Sequence, residues 1–182
     1  MFKQLCLAAM MFANASHATV LGGEILQQNG FGTFVKLDTV TPFSVGADTF
    51  DDDNLYAFDE DQNILLVIPV RVDIGESPVI PQGTVVASHY VFFDSLSGIH
   101  HGYVDFDAPI LGVAAYQDTM AATDFLANTS VDYISIELRG LEQGDQVWID
   151  EANPSRLWVY WAGSSPGDYI RVFTSRSIAA MM

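Results

Sequence analysis

Residues 146–161 read QVWIDEANPSRLWVYW, and the alternation of their side chains decides the fold. Val147 and Ile149 alternate with Gln146, Trp148 and Asp150. Past a loop holding Ala152, Asn153, Pro154 and Ser155, the residues Leu157, Val159 and Trp161 alternate with Arg156, Trp158 and Tyr160. Successive side chains of a strand point to opposite faces, so a period of two on both sides of a turn predicts a β-hairpin with one apolar and one polar face. On that register Trp148, Trp158 and Tyr160 lie on the polar side. A slip of one residue would turn all three inward.

The pattern continues outward from the hairpin. Residues 133–138 alternate as well, with Ile134, Ile136 and Leu138 on one side and Tyr133, Ser135 and Glu137 on the other, and are expected to form a half-buried strand. A turn cluster over 163–167 is followed by a strand over 169–174. Upstream, 89–93 and 103–106 read as strands joined by a connection over 95–102. Residues 110–115 continue in extended form after Pro109. The apolar run 64–68 reads as a strand buried on both faces, and 79–83, with Pro81, as a connection. One segment departs from this period: Asp118 is placed to cap a short helix over 119–127 that stops at Asn128. No fixed-period repeat and no Pro- or Gly-rich linker divides the chain. The fold class is therefore all-β, a single antiparallel β-sandwich or jelly-roll-like domain with one short helix near 119–127.

Composition agrees with a folded domain of this kind. The chain has 182 residues, 49% of them hydrophobic and only 16% charged, which is enough apolar material for a core. Against 23 acids stand 7 bases, a formal charge of -16, and such a surface repels a phosphate backbone, so nucleic acid is excluded as a partner. The acids are 17 Asp to 6 Glu. Asp suits turns and oxygen-rich cation sites better than helices, in keeping with strands and loops.

At the N-terminus Lys3 precedes an apolar run over 5–13, and Ala13-Asn14-Ala15 and Ser16-His17-Ala18 each offer a small-x-small cleavage pattern. Residues 1–18 are expected to be a signal peptide, cut after Ala15 or Ala18, and 19–182 the single β-sandwich domain. Cleavage after Ala18 removes Lys3 and no acid, taking the charge from -16 to -17, and it removes Cys6, the sole cysteine. The mature chain then has neither disulfide nor thiol chemistry. No other apolar run reaches the roughly 20 residues of a membrane helix.

Six stretches carry a resemblance: FDDDNLYAFDEDQNILL (50–66), ASHYVFFD (87–94), VDFDAPILGV (104–113), TDFL (123–126), LRGLEQGDQVWI (138–149) and SSPGDYIRVFT (164–174). In this order they resemble a group of uncharacterised bacterial exported β-rich proteins, many of which carry a PEP-CTERM sorting tail. The resemblance covers about residues 50–174 and implies a surface or matrix destination, with no activity attached. After Arg176 this sequence has no Pro-Glu-Pro, membrane span or basic tail, so free secretion or periplasmic residence is the expected localisation.

The densest chemical signal is acidic. Asp48, Asp51, Asp52, Asp53, Asp59, Glu60 and Asp61 place seven carboxylates within fourteen residues. Asp59, Asp61 and Asn63 repeat the every-second-residue oxygen spacing of calcium loops. An EF-hand would need Gly at the sixth and Glu at the twelfth position, where this chain has Ile64 and Val70, so that motif is rejected. An irregular calcium site from Asp51, Asp53, Asp59, Asp61 and Asn63 is left beside the reading of a solvated charge run.

Asp105 and Asp107, two apart on a strand, are candidates for shared acid–base work or simply for its wet side. His100 and His101 read as surface loop residues, and His89 as a hydrogen-bonded packing residue. No Gly-x-Ser-x-Gly turn exists. Trp148, Trp158 and Tyr160 are the binding candidates, because flat rings exposed on a β-face suit stacking against sugar rings; burial in the core is the competing reading. Two function classes follow. One is an exported non-enzymatic module for cell-surface, matrix or glycan contact, possible calcium support included, whose partner is extracellular polysaccharide or matrix. The other is a jelly-roll enzyme on polysaccharide, a hydrolase or lyase, working through Asp105 and Asp107 or through His89 and Tyr90.

Overall fold

The computed structural model describes residues 19–28, 30–46, 49–94, 97–164 and 167–176; the expected signal peptide lies outside them. Its strands are β1 (Val20–Gln28), β2 (Phe34–Lys36), β3 (Phe43–Val45), β4 (Leu55–Asp59), β5 (Ile64–Leu65), β6 (Val70–Arg71), β7 (Val79–Ile80), β8 (Val85–Phe93), β9 (Ser97–Phe106), β10 (Ile110–Ala114), β11 (Val131–Tyr133), β12 (Gln146–Ile149), β13 (Arg156–Ser164) and β14 (Asp168–Ser175). One α-helix, α1 (Gln117–Ala122), and two 3-10 turns, Asp124–Leu126 and Ile136–Leu138, complete them.

Two sheets pack face to face. A four-stranded sheet runs β1-β9-β13-β12, and a six-stranded one runs β10-β14-β8-β4-β2 with β5 added beside β8. Pairing is antiparallel in both except between β2 and β4, and β11 lies parallel to β3 in a separate two-stranded pair. The all-β sandwich holds.

Between the sheets lie Leu55, Ala57, Val91, Phe93, Ile170 and Val172 from the larger one, against Val104, Leu157, Val159 and Trp161 from the smaller. The larger sheet is also covered on its other face, by β3, β6, β7, β11 and α1. There Tyr56, Phe92 and Tyr169 form a ladder across three strands, with centroids 5.0 and 6.0 Å apart and planes within 15° of one another. Full burial of one such ring is worth about 1.5–3 kcal/mol. Double coverage explains why β8, VVASHYVFF, is buried at every position after the first: its residues alternate between two cores instead of between core and water.

Four local expectations are corrected. The strand over 133–138 is only β11, because its partner β3 ends at Val45 opposite Tyr133. With no ladder to join, the chain closes a 3-10 turn in which the amides of Leu138 and Arg139 donate to the carbonyls of Ser135 and Ile136, and Leu138 is exposed. The helix begins two residues early, with Tyr116 at its N-cap and Asp118 within its first turn, and 124–126 tighten into a separate 3-10 turn. The run 64–68 pairs only through the two residues of β5 and leaves Leu65, Val67 and Ile68 exposed. Of the connection expected over 95–102, residues 97–102 instead belong to β9, a ten-residue strand, and 95 and 96 lie outside the described residues. Gly102, whose presence suggested a loop, sits mid-strand because β1 passes so close that a Cβ there would lie 2.3 Å from the Glu24 carbonyl oxygen.

Candidate functional site

Among the described residues, the smaller sheet is covered on one face only. The register Leu157↔Val104, Val159↔Gly102 and Val147↔Val159 puts the apolar hairpin positions toward the larger sheet. The intervening positions therefore face outward. Trp158 lies directly between Tyr103 on β9 and Trp148 on β12, and Glu24 on β1 pairs with Tyr103. One row thus crosses all four strands as Glu24, Tyr103, Trp158 and Trp148. The next row, two residues along, is Gln27, His101, Tyr160 and Gln146. With strands about 4.8 Å apart, three aromatic columns give a platform about 10 Å wide before side-chain reach is added.

The rings touch. Trp148 and Trp158 have planes 11° apart and centroids separated by 6.0 Å. Tyr103 meets Trp158 edge-on at 5.2 Å, and His101 sits 5.6 Å from Trp158 and 6.1 Å from each of Trp148 and Tyr160. Trp148 is 38% exposed, and Trp158, Tyr160, His101 and Tyr103 are each half-buried among their neighbours. Of the two readings the sequence left for Trp148, Trp158 and Tyr160, the structure has the outward one and not the burial in the core that the need for large core residues favoured. Tyr103 and His101 escaped the sequence reading: Tyr103 shares its parity with Asp105 on a recognised strand, while His101 was assigned to a loop.

Carboxylates border the rings. Tyr103 donates its hydroxyl to Glu24 Oε2 at 2.9 Å, and Trp158 donates its indole N–H to Asp150 Oδ2 at 2.8 Å. Arg156 lies 3.7 Å over the Tyr103 ring and is held there by two bonds to Asp105, at 2.7 and 2.8 Å. The Glu24 contact raises the Tyr103 phenol above its ordinary value and so keeps it neutral. The bond from Trp158, followed by the amides of Ala152 and Asn153, holds Asp150 below the usual carboxylate range. This border is rich in acceptors.

No protein-family model matches the chain, and none of the curated proteins or solved structures matches it. The functional reading consequently stands on the face itself.

The structure disperses the acidic candidates. All four acceptor positions of Asp59 are taken: Oδ1 by His89 Nδ1 at 2.8 Å and the Val20 amide at 2.9 Å, Oδ2 by Lys36 Nζ at 2.8 Å and Thr19 Oγ1 at 2.6 Å. Glu60 and Asp61 continue the ladder to β8 through Ser88 rather than wrapping an ion. Asp53 accepts the Phe31 amide, while Asp51 and Asn63 adopt positive φ, 49° and 57°. Burial, then the charge of Glu60, raises the Asp61 carboxyl above its ordinary value. Among the described residues no three His, Cys, Asp or Glu side chains are grouped to hold a metal ion.

The catalytic candidates separate too. Asp105 is clamped by Arg156, whereas Asp107 lies past the end of β9 and accepts the Thr19 amide at 2.8 Å. His89 and Tyr90, adjacent on β8, point into opposite cores: His89 contacts Phe106 between the sheets, and Tyr90 packs with Phe58 and Tyr133 on the far side. Asp59, His89 and Thr174 do form a carboxylate–imidazole–hydroxyl line, at 2.8 and 2.9 Å. It is inverted for nucleophilic catalysis, since the Thr174 hydroxyl is fully buried and only the carboxylate end meets solvent. His100 is a core residue, not a surface one. It is 1% exposed, packs 3.6 Å from Phe93 and bonds the Asp53 carbonyl through Nε2 at 2.9 Å, and its burial depresses its pKa.

Proposed function

We propose that this protein is an exported, non-enzymatic β-sandwich module that holds polysaccharide against the outer face of its four-stranded sheet. The carrying observation is the contiguous row Tyr103, Trp158 and Trp148, flanked by His101 and Tyr160, on a sheet face that no other layer of the described residues covers. Clustered aromatic surface open to water is costly unless it meets a partner, and flat rings on a flat sheet fit the apolar faces of sugar rings. The N-terminal charge, apolar run and small-x-small order support export. The face is a surface rather than a cleft, which supports contact without turnover.

Retention of the protein spanning 19–182 on insoluble polysaccharides tests this reading. The wild type is expected to be retained, and Trp158→Ala to lose about 2 kcal/mol, close to thirtyfold in affinity, with an unchanged circular dichroism spectrum. Equal retention of wild type and Trp158→Ala on every polymer would refute it.

A further inference from the structure

The polar atoms around the aromatic row say which polysaccharide it suits. Three donors on the platform are turned inward to carboxylates: the Tyr103 hydroxyl to Glu24, the Trp158 indole N–H to Asp150, and the Arg156 guanidinium to Asp105. What those pairs leave at the rim is acceptor capacity, because a carboxylate offers about four lone-pair sites: Glu24 spends one on Tyr103, and Asp150 spends three, on Trp158, Ala152 and Asn153. A ligand lying on the rings thus meets π-faces beneath it and carboxylate oxygens beside it, Glu24 at the β1 end of the row and Asp150 in the adjacent row against Trp158. Aromatic faces attract cations, most of all where carboxylates stand beside them.

The whole chain adds a field of the same sign. Its formal charge is -16, and Lys36 is the only lysine after residue 3. Arg156, the cation nearest the row, is neutralised by its two bonds to Asp105. A uronate or sulfated chain would be repelled at a distance. A glycan bearing ammonium groups would be attracted and would find acceptors spaced along its length.

Building on the proposed glycan contact, we infer that the outer sheet face selects a cationic amino-sugar polymer, with Glu24 and Asp150 receiving ammonium groups while Tyr103, Trp158 and Trp148 stack on the rings. Asp150 is suited to this role because its contacts keep it ionised below the usual carboxylate range.

The test is calorimetric titration of the protein spanning 19–182 with oligomers of matched length at neutral pH and low salt: glucosamine, N-acetylglucosamine, glucose and uronate. The expected order is glucosamine tightest, by about tenfold over the two neutral oligomers, with uronate weakest. Glu24→Gln and Asp150→Asn keep the shape and an acceptor for Tyr103 and Trp158; in the double variant the glucosamine advantage is expected to shrink to the neutral level while neutral binding persists. Equal or tighter binding of neutral or uronate oligomers, lost in Trp158→Ala, overturns the cationic preference and leaves the glycan reading standing. Glucosamine binding that survives intact in Trp158→Ala reflects overall charge and overturns the inference. Absence of binding by all four oligomers overturns both.

Discussion

Glu60 and Arg171 meet with no solvent on either side chain, Nε to Oε2 at 2.7 Å and Nη2 to Oε1 at 3.0 Å. The pair sits under the far face of the larger sheet, and its remaining valences are filled. Glu60 also accepts from the Ser88 and Tyr133 hydroxyls, and Arg171 Nη1 reaches the Met120 carbonyl, Thr123 Oγ1 and Asp124 Oδ1. It thereby ties β14 and the residue after β4 to α1 and β11.

Arg171→Met is therefore expected to destabilise the fold by about 3–5 kcal/mol, because it strands a buried carboxylate. Adding Glu60→Gln is expected to recover part of that loss. Urea denaturation of the single and double variants checks both, and a single variant within about 1 kcal/mol of wild type would show that the pair is not the clamp described.

Asp168 makes the opposite contribution. It is 2% exposed, and burial first, then the Asp145 contact and charge and the charge of Glu142, push its carboxyl up to about 9. An unfolded Asp ionises near 3.9. The folded protein thus holds a proton that the unfolded chain releases between these values, so stability is full below about pH 4 and is lost as pH rises toward 9. Asp168→Asn removes this penalty and is expected to stabilise the protein by about 2–4 kcal/mol at pH 7, with the gain vanishing toward pH 4. Thermal melts of both proteins across that range read it directly; a gain independent of pH would contradict it.

Asp59 supplies the acid limb. Burial alone would raise its pKa, but the hydrogen bond and charge of His89, then Lys36 and Thr19, outweigh it and hold the carboxyl far below the ordinary value. Stability from this group is present above about pH 4 and lost as pH falls through the depressed folded pKa. Asp59→Asn is expected to cost about 2 kcal/mol at pH 7 and progressively less on acidification. A difference that grows as the pH drops would refute the assignment. Calcium added to chelator-treated wild type is expected to leave the melting temperature unmoved, since the acceptors of Asp59 are occupied by protein donors; a rise at millimolar calcium would show a native-state site.

How much of this was legible depends on which faces meet water. The hairpin 146–161 showed its alternation because one of its faces is wet, but the alternation alone did not decide whether Trp148, Trp158 and Tyr160 face out or fill the core; pairing with β9 decides it. The larger sheet kept no such alternation, since β8 is covered on both faces, and its length and neighbours were hidden accordingly. His101 was placed in a loop because Gly98 and Gly102 resemble turn residues, whereas Gly102 marks the close approach of β1. Glu60 sat in a run of acids that suggested solvent or a cation. Its partner Arg171 is 111 residues away, a pairing that no local pattern encodes.

The claim on which the functional account rests is that Trp148 and Trp158 lie open on one face and are covered by ligand, while Trp161 is fully buried in the core. Acrylamide quenching of tryptophan emission, with and without a saturating glucosamine oligomer, measures this most directly. The account predicts two quenchable tryptophans in the free protein, protection of both by the oligomer, and an unquenched remainder from Trp161. Quenching that is identical with the oligomer bound would contradict it.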